Sequence, residues 1–481
     1  MGRSDKLVKN ISFIVIGNIG SKLMGFFMLP FYTNWLSPAD YGTTDLLIVY
    51  ANLLLNVVAC DMSDAIYIYP VGATKQKVCN YYSTGFIFQF LCSIICMFVF
   101  WGISYLPMKN VFIDNIWFIY GILISNIFQK YTQDFCRGIN QMSVFSFTGI
   151  VQTITTAFLS FLLIPTQGVY GFVLATIGAN IATALFAFFY SNSYKYLSVN
   201  DWDKEALTEM LRFSIPLIPT SILWWLISGL NRPLLEDYVG LFALGLMAVA
   251  GKLPGIMNLV FNFFQQAWIV TVVEEYKKLD FAIYYNKMFQ MIMFVQMLVY
   301  FIILISAKLF INLMTAKEFH EAWVYIPLLT ISVIFSNASA FLGTIFSAVR
   351  QSKYTFYSVV VGGVAAVAFN FLLIPKCGLW GACVAICLSH LLTALSRVYY
   401  SRKFVKFTSS WYMVKQLLIL MLAYVVILIL NDWRLVFAYT ACLLLYLYLN
   451  KQNMLNMSAF VLNKILSSTY KCNFLGADNK Q

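Results

Sequence analysis

The chain has 481 residues, of which 61% are hydrophobic and 11% charged, with a mean hydropathy of +0.76. A soluble globular domain carries about 25% charged residues, so the composition excludes that class and indicates a polytopic membrane protein. The net charge of +12 reflects basic loops on one side of a membrane and attraction to anionic headgroups, not nucleic-acid binding.

Apolar windows of about 17–25 residues, long enough to span a bilayer, recur fourteen times. They fall at residues 10–36, 43–66, 82–106, 113–136, 144–164, 168–190, 213–232, 238–262, 283–307, 322–349, 355–374, 378–400, 411–430 and 434–450. The expected fold class is an all-α polytopic membrane protein of about 14 transmembrane helices. Arg3, Lys6, Lys9, Lys75, Lys77, Arg137, Lys195, Lys204, Arg212, Lys277, Lys278, Arg350, Lys353, Arg402, Lys403 and Lys406 fall on one side of these spans, against Lys109, Lys308, Lys317, Lys376 and Arg434 on the other. Because basic residues resist translocation, both termini are expected in the cytoplasm. The basic start resembles a secretory signal, but no small-residue cleavage site follows the first span, which is expected to be retained.

The first span carries Lys22 near its middle, where a lysine costs roughly 2.5–3.5 kcal/mol. Asn18, Ser21 and Gly25 share its face, leaving Ile14, Phe27 and Leu29 for lipid. Lys22 reads as half of a cationic site for an anionic substrate. In the second span Asp45, Asn52, Asn56 and Ser63 fall on one side. So do Asn126, Lys130, Gln133 and Arg137 in the fourth, Ser214, Ser221, Ser228 and Arg232 in the seventh, and Ser332, Ser336, Ser339, Gly343 and Arg350 in the tenth. These stripes are either interhelical hydrogen-bonding faces or the wall of a wet cavity. On the second reading Asn18, Asn52, Asn56, Lys130, Arg137, Arg232 and Arg350 line it.

Lys252, about fourteen residues into the eighth span, matches Lys22 in depth. Two such lysines facing one hollow repel each other unless an anion bridges them. At an effective dielectric near 20 each lysine–phosphate contact is worth about 4 kcal/mol. The competing reading pairs each lysine with an acid such as Asp61 or Asp64, or has it snorkel. Asp45, Asp61, Asp64 and Asp134 are candidates for ion coupling. Trp224 and Trp225 are placed either to stack on sugars or to pack the interior, and His320 and His390 receive no role. The ten cysteines are scattered without a CxxC pair, so neither a disulfide framework nor a metal site is expected, and no cofactor is implied.

Residues 162–185 and 372–395 match at ten of 24 positions at an offset of 210, which also pairs Gln141 with Gln351. Asp40-Tyr41-Gly42 and Asp237-Tyr238-Val239-Gly240 form a second match, each Asp expected to cap the helix that follows. Spans 1–6 and 7–12 thus read as two copies of a six-helix unit, related by a pseudo-two-fold axis along the membrane normal. The expected division is 1–190, a cytoplasmic linker 191–212 with a short surface helix, 213–400, and 401–481 with the last two spans and the tail. No G-x-x-x-x-G-K-[ST] loop is present, which argues against direct ATP hydrolysis.

The segment SKLMGFFMLPFYTNWLSPADYG, the doubled LLIPxxGxxG stretch, CRGINQ after the fourth span and the twelve-plus-two arrangement resemble polysaccharide-unit flippases of the multidrug/oligosaccharidyl-lipid/polysaccharide exporter superfamily. The resemblance is strongest to the Wzx-type O-antigen flippases. It implies a bacterial inner-membrane protein, not an enzyme, that moves undecaprenyl-diphosphate-linked oligosaccharide from the cytoplasmic to the periplasmic leaflet by alternating access. It further implies that Lys22 and Lys252 hold the diphosphate, that spans 13 and 14 provide a groove for the polyprenyl tail, and that a polysaccharide polymerase and a chain-length regulator are partners. Alternatives are a multidrug exporter of the same fold, a lipid II flippase, or a membrane polysaccharide polymerase. The exporter calls for mid-membrane acids and the polymerase for a large periplasmic loop, neither of which stands out here.

Overall fold

The computed structural model describes residues 24–107, 109–409, 412–413, 415–416, 418–420, 423–424 and 434–451. Asn18 and Lys22 therefore lie outside the described residues, as does most of the predicted thirteenth span. The chain is an all-helical, multi-pass membrane protein with no strand among the described residues. Nine of the described helices are long and apolar enough to cross a bilayer.

After α1 (Leu29–Trp35), α2 (Pro38–Val58) starts on a reciprocal cap. The Ser37 hydroxyl accepts from the Asp40 N–H at 3.2 Å, and the Asp40 carboxylate accepts from the Ser37 N–H at 3.3 Å, with Pro38 at the first helical position. Asp40 is thus the third residue of the helix and not its cap. Two consecutive left-handed residues, Cys60 (φ 48°) and Asp61 (φ 47°), end this helical path before α3 (Met62–Ile68). The predicted second span is therefore two helices, and Ser63, beyond the break, leaves the stripe of Asp45, Asn52 and Asn56.

The chain continues through α4 (Lys75–Ile103), the single turn α5 (Val111–Asp114), α6 (Ile116–Gly138), α7 (Met142–Gln167) and α8 (Val169–Tyr190). The predicted surface helix of the linker is α9 (Lys204–Ser214), capped by Asp203. This linker is stapled to α4: Ser83 and Thr84 hydroxyls accept from the Ser198 and Asp203 N–H groups, both at 2.9 Å, and Tyr81 donates to Glu209 at 2.8 Å.

Next come α10 (Ile218–Ser228), α11 (Asn231–Tyr238), α12 (Leu241–Ala250) and α13 (Lys252–Glu275). Asp237, expected to cap the eighth span, lies inside α11. The following helix starts after Gly240, whose φ of 102° suits glycine. The two Asp-Tyr motifs thus share letters but not geometry. A turn at Gly251 divides the predicted eighth span, so Lys252 opens α13 and does not sit within one continuous helix. The remaining elements are α14 (Phe281–Met314), a 3-10 stretch (Lys317–Tyr325), α15 (Ile326–Ala348), α16 (Ser352–Ser401) and α17 (Arg434–Leu449).

The sequence repeat is also a repeat of backbone conformation. At the offset of 210, Asn140 and Arg350 are both left-handed (φ 61° and 55°). The N–H groups of Gln141 and Gln351 reach back to the Cys136 and Phe346 carbonyls, each at 2.8 Å. Gly168 (φ 56°, ψ −125°) separates α7 from α8, and Gly378 (φ 56°, ψ −133°) breaks α16 in the same way. A Cβ on Gly171 or Gly381 would run into the carbonyl of Leu163 or Leu373, which explains the second glycine of each LLIPxxGxxG segment.

The contacts divide the chain into two compact units. One comprises the chain through Lys252 with Ile311–Tyr325 and Val359–Leu392; the other comprises Leu253–Phe310, Ile326–Ser358 and the chain from Thr393. In the first unit Leu47, Phe100, Ile119, Leu123 and Val173 join α2, α4, α6 and α8 in one apolar cluster. There α2 and α12 cross so closely that a Cβ on Gly42 or Gly245 would strike the opposing backbone. The core of the second unit gathers Trp268, Tyr285 and Phe289 around Phe341 at ring-centroid distances of 4.9, 5.0 and 5.4 Å.

Candidate functional site

In α7, Gln152, Thr153 and Thr156 lie on one side at helical spacing, and in α8 Thr176 and Asn180 do the same. The two helices, joined at Gly168, turn these polar faces toward a cavity of about 370 Å³. Met24, Gly25, Tyr32, Tyr41, Phe172 and Lys252 complete its wall. All of these residues belong to the first unit.

Among the described residues, Lys252 is the single charged one lining the cavity. It is half-buried, with its ammonium 5.6 Å from the centroid of the buried Tyr41 ring, a cation–π contact. No described carboxylate lies within ion-pair distance of it. Tyr32 shares a hydrogen bond with Ser160 at 3.1 Å and packs edge-on against Phe172. The Asn180 amide donates to Asn126 at 2.8 Å and to Ser125 at 3.1 Å, while its oxygen accepts from Gln152 at 3.4 Å. One asparagine thereby ties α6, α7 and α8 together behind the cavity. The hydroxyls of Thr153 and Thr176 donate to their own helices at 2.7 and 2.9 Å, which leaves oxygen lone pairs for hydroxyl donors. Among the described residues the hollow thus combines one cation with neutral hydrogen-bonding groups and no acid, a set suited to an anionic, hydroxyl-rich solute.

The four candidate aspartates, Asp61 and Asp64 as possible lysine partners among them, have partners other than Lys252. Asp45 accepts from Arg232 at 2.8 Å, Asp64 pairs with Lys130 at 3.5 Å, and Asp134 accepts from Arg137 at 2.9 Å. Arg232 also donates to the Ser228 carbonyl at 2.7 Å, and Arg137 covers the Tyr67 ring at 4.1 Å. Buried Asp61 accepts from Ser221 at 3.3 Å. Asn52 is exposed and Asn56 half-buried on α2, Arg350 is exposed in the second unit, and none of them lines this cavity. Trp225 donates to the Val49 carbonyl at 3.1 Å, an interior packing role.

Outside the spans, Glu236 in α11 receives the Val111 N–H at 2.9 Å and the Tyr50 hydroxyl at 3.2 Å. Burial pushes its carboxyl above the ordinary range, and these two donors oppose the rise.

Sequence reading missed Tyr32, Tyr41, Gln152, Thr153, Thr156, Thr176 and Asn180 as cavity residues. A signal was available in the repeat. Gln152, Thr153, Thr156 and Thr176 stand where the second copy has Gly362, Gly363, Ala366 and Ile386, so one copy kept polar groups that helix packing alone does not need.

A family model described as polysaccharide biosynthesis protein matches residues 7–271. A capsular polysaccharide biosynthesis protein, CapF, of Staphylococcus aureus is 26% identical over 198 residues, 40% of this chain and 50% of the relative. The chain thus spans about half the length of that curated relative. Among solved structures, the lipid II flippase MurJ in an inward closed conformation aligns with a TM-score of 0.68 at 14% identity, covering 95% of this chain and all of the other. A multidrug resistance MATE transporter of the MOP superfamily, inward-facing, aligns at 0.64 and 15% identity, covering 81% and 97%.

Proposed function

Since the chain belongs to the polysaccharide biosynthesis protein family, we propose that it is a flippase for undecaprenyl-diphosphate-linked oligosaccharide. The cargo is the repeat unit of an O-antigen or similar surface glycan, carried from the cytoplasmic to the periplasmic leaflet of a bacterial inner membrane. The observation that carries this reading is the Lys252 ammonium in a polar-walled cavity without a carboxylate partner among the described residues. A multidrug exporter selecting cations calls for an acid at that place.

In the mechanism, Lys252 neutralises one phosphate of the diphosphate and Lys22 the other, while Gln152 and the threonine oxygens meet sugar hydroxyls. The tail stays in lipid, against a groove formed by spans 13 and 14. Two six-helix lobes, 1–190 and 213–400, then rock about a pseudo-two-fold axis, with both termini cytoplasmic and fourteen spans in all. No bond is made or broken. A proton or sodium gradient, or consumption of the product by a polymerase working with a chain-length regulator, drives the cycle. Asp45, Asp61, Asp64 and Asp134 are the coupling candidates, and Asp61 alone of them makes no ion pair among the described residues.

The test is deletion of the gene followed by complementation. The deletion strain should accumulate lipid-linked sugar units and lose surface polysaccharide, and Lys22→Ala and Lys252→Ala, at normal expression, should fail to restore it. Full restoration by both variants rejects the cationic site. Loss of viability with accumulated lipid II would instead identify a lipid II flippase, and a drug-sensitivity phenotype alone an exporter.

A further inference from the structure

A second cationic feature lies in the other unit, where the two ends of α16 meet. The Tyr354 ring packs on Tyr400 at 5.3 Å and on Phe404 at 5.4 Å. The ammonium of Lys353 stands 5.3 Å from the Tyr354 centroid and that of Lys403 5.1 Å from the same point. Lys403 is also 5.7 Å from the Tyr400 ring. Both lysines are exposed. Attraction to a ring face favours each of them singly, but two like charges each within 5.3 Å of the same ring centre oppose each other.

No carboxylate among the described residues relieves that repulsion. Neither lysine makes an ion pair among the described residues, and the sequence contains no Asp or Glu between Glu321 and Asp432. The fold does not call for the lysines either. At the repeat offset the first copy has Ser143 and Ser193 in their places, with the same left-handed residue preceding the first of them. The surroundings point to lipid: Tyr357 and Tyr399 are 47% and 64% exposed, and exposed aromatics beside basic residues at the end of a membrane helix mark the headgroup level.

We propose that Lys353 and Lys403 bind the phosphate of an anionic phospholipid headgroup, with the Tyr354 ring as the floor of the site. The phosphodiester bridges the two ammonium groups and removes their repulsion, and the exposed tyrosines beside it meet the upper acyl chains. The site shares no residue with the cavity at Lys252 and stands whether or not the transport reading holds.

The test is thermal unfolding of the full chain in a neutral detergent, titrated with short-chain phosphatidylglycerol, phosphatidylcholine or inorganic phosphate. Phosphatidylglycerol should raise the midpoint by several degrees while phosphatidylcholine and inorganic phosphate do not. The Lys353→Gln/Lys403→Gln variant should need roughly tenfold more phosphatidylglycerol for the same shift. Lys353→Arg/Lys403→Arg should keep the response, and so should Lys376→Gln, an exposed lysine elsewhere. Should the glutamine variant fold poorly, Lys353→Ser/Lys403→Ser, which copies the first half of the repeat, takes its place. An unchanged response in the neutral variant overturns the proposal, as does an equal effect of inorganic phosphate, which would make this a soluble-anion site.

Discussion

Lys252 has no carboxylate partner among the described residues, while Asp45, Asp64 and Asp134 each hold another base. The two kinds of residue should respond to mutation in opposite ways. Lys252→Gln gives up one cation–π contact with Tyr41 but also removes a half-buried cation without a described carboxylate partner, so the unfolding midpoint of purified protein should hold or rise. Arg232→Ala strands the half-buried Asp45 carboxylate, which accepts the Arg232 guanidinium at 2.8 Å, and should cost about 1.5–3 kcal/mol. A lower midpoint for Lys252→Gln would show that the lysine is structural. Glu236 gives a pH signature. Its folded pKa lies above the ordinary 4.5, so the folded state holds the proton more tightly than the unfolded one. Its contribution to stability is therefore fully present below about 4.5 and is lost as pH rises through the raised value. Glu236→Gln should flatten that part of the stability–pH curve, and a variant curve parallel to the wild type would refute the assignment.

At the scale of helices, the duplicated segments were legible because their signals are local. LLIPxxGxxG carries a proline inside the helix and a glycine that must take a positive φ, and both recur at the same offset in sequence and in backbone. The break at Cys60 and Asp61 was not legible. Neither residue is a glycine or a proline, and a left-handed conformation at such residues is too uncommon to expect from sequence. Asp40 reads from the sequence as a cap, which places the α2 start one turn late, whereas Ser37 is the cap and accepts the N–H of Asp40 itself. Ser37→Ala should therefore cost about 1 kcal/mol. Gly245→Ala should cost more, about 1–3 kcal/mol, since its Cβ would strike the Pro38 backbone, which cannot move aside as a side chain does. A neutral Gly245→Ala, measured by thermal unfolding, would mean that α2 and α12 are free to separate.

At the scale of the molecule, hydropathy alone gave the class, since a chain with so few charges must bury its backbone in membrane helices. The sequence singles out Lys252 because a lysine within an apolar span demands a partner or a ligand, and the structure places it on a cavity wall. The walls around it were not legible. Threonine, glutamine and tyrosine at helical spacing are ordinary in spans, and only the approach of α7, α8, α1 and α2 makes them one surface. The central claim is that this surface receives a lipid diphosphate through Lys252. Its most direct test is leaflet exchange of a polyprenyl-diphosphate-linked oligosaccharide in proteoliposomes, read as lectin access to the far leaflet. The account predicts that Lys252→Gln slows exchange by roughly tenfold or more, the loss of one charge-assisted contact, and that Lys252→Arg restores part of it. Exchange by Lys252→Gln at the wild-type rate, at equal reconstitution, would contradict it.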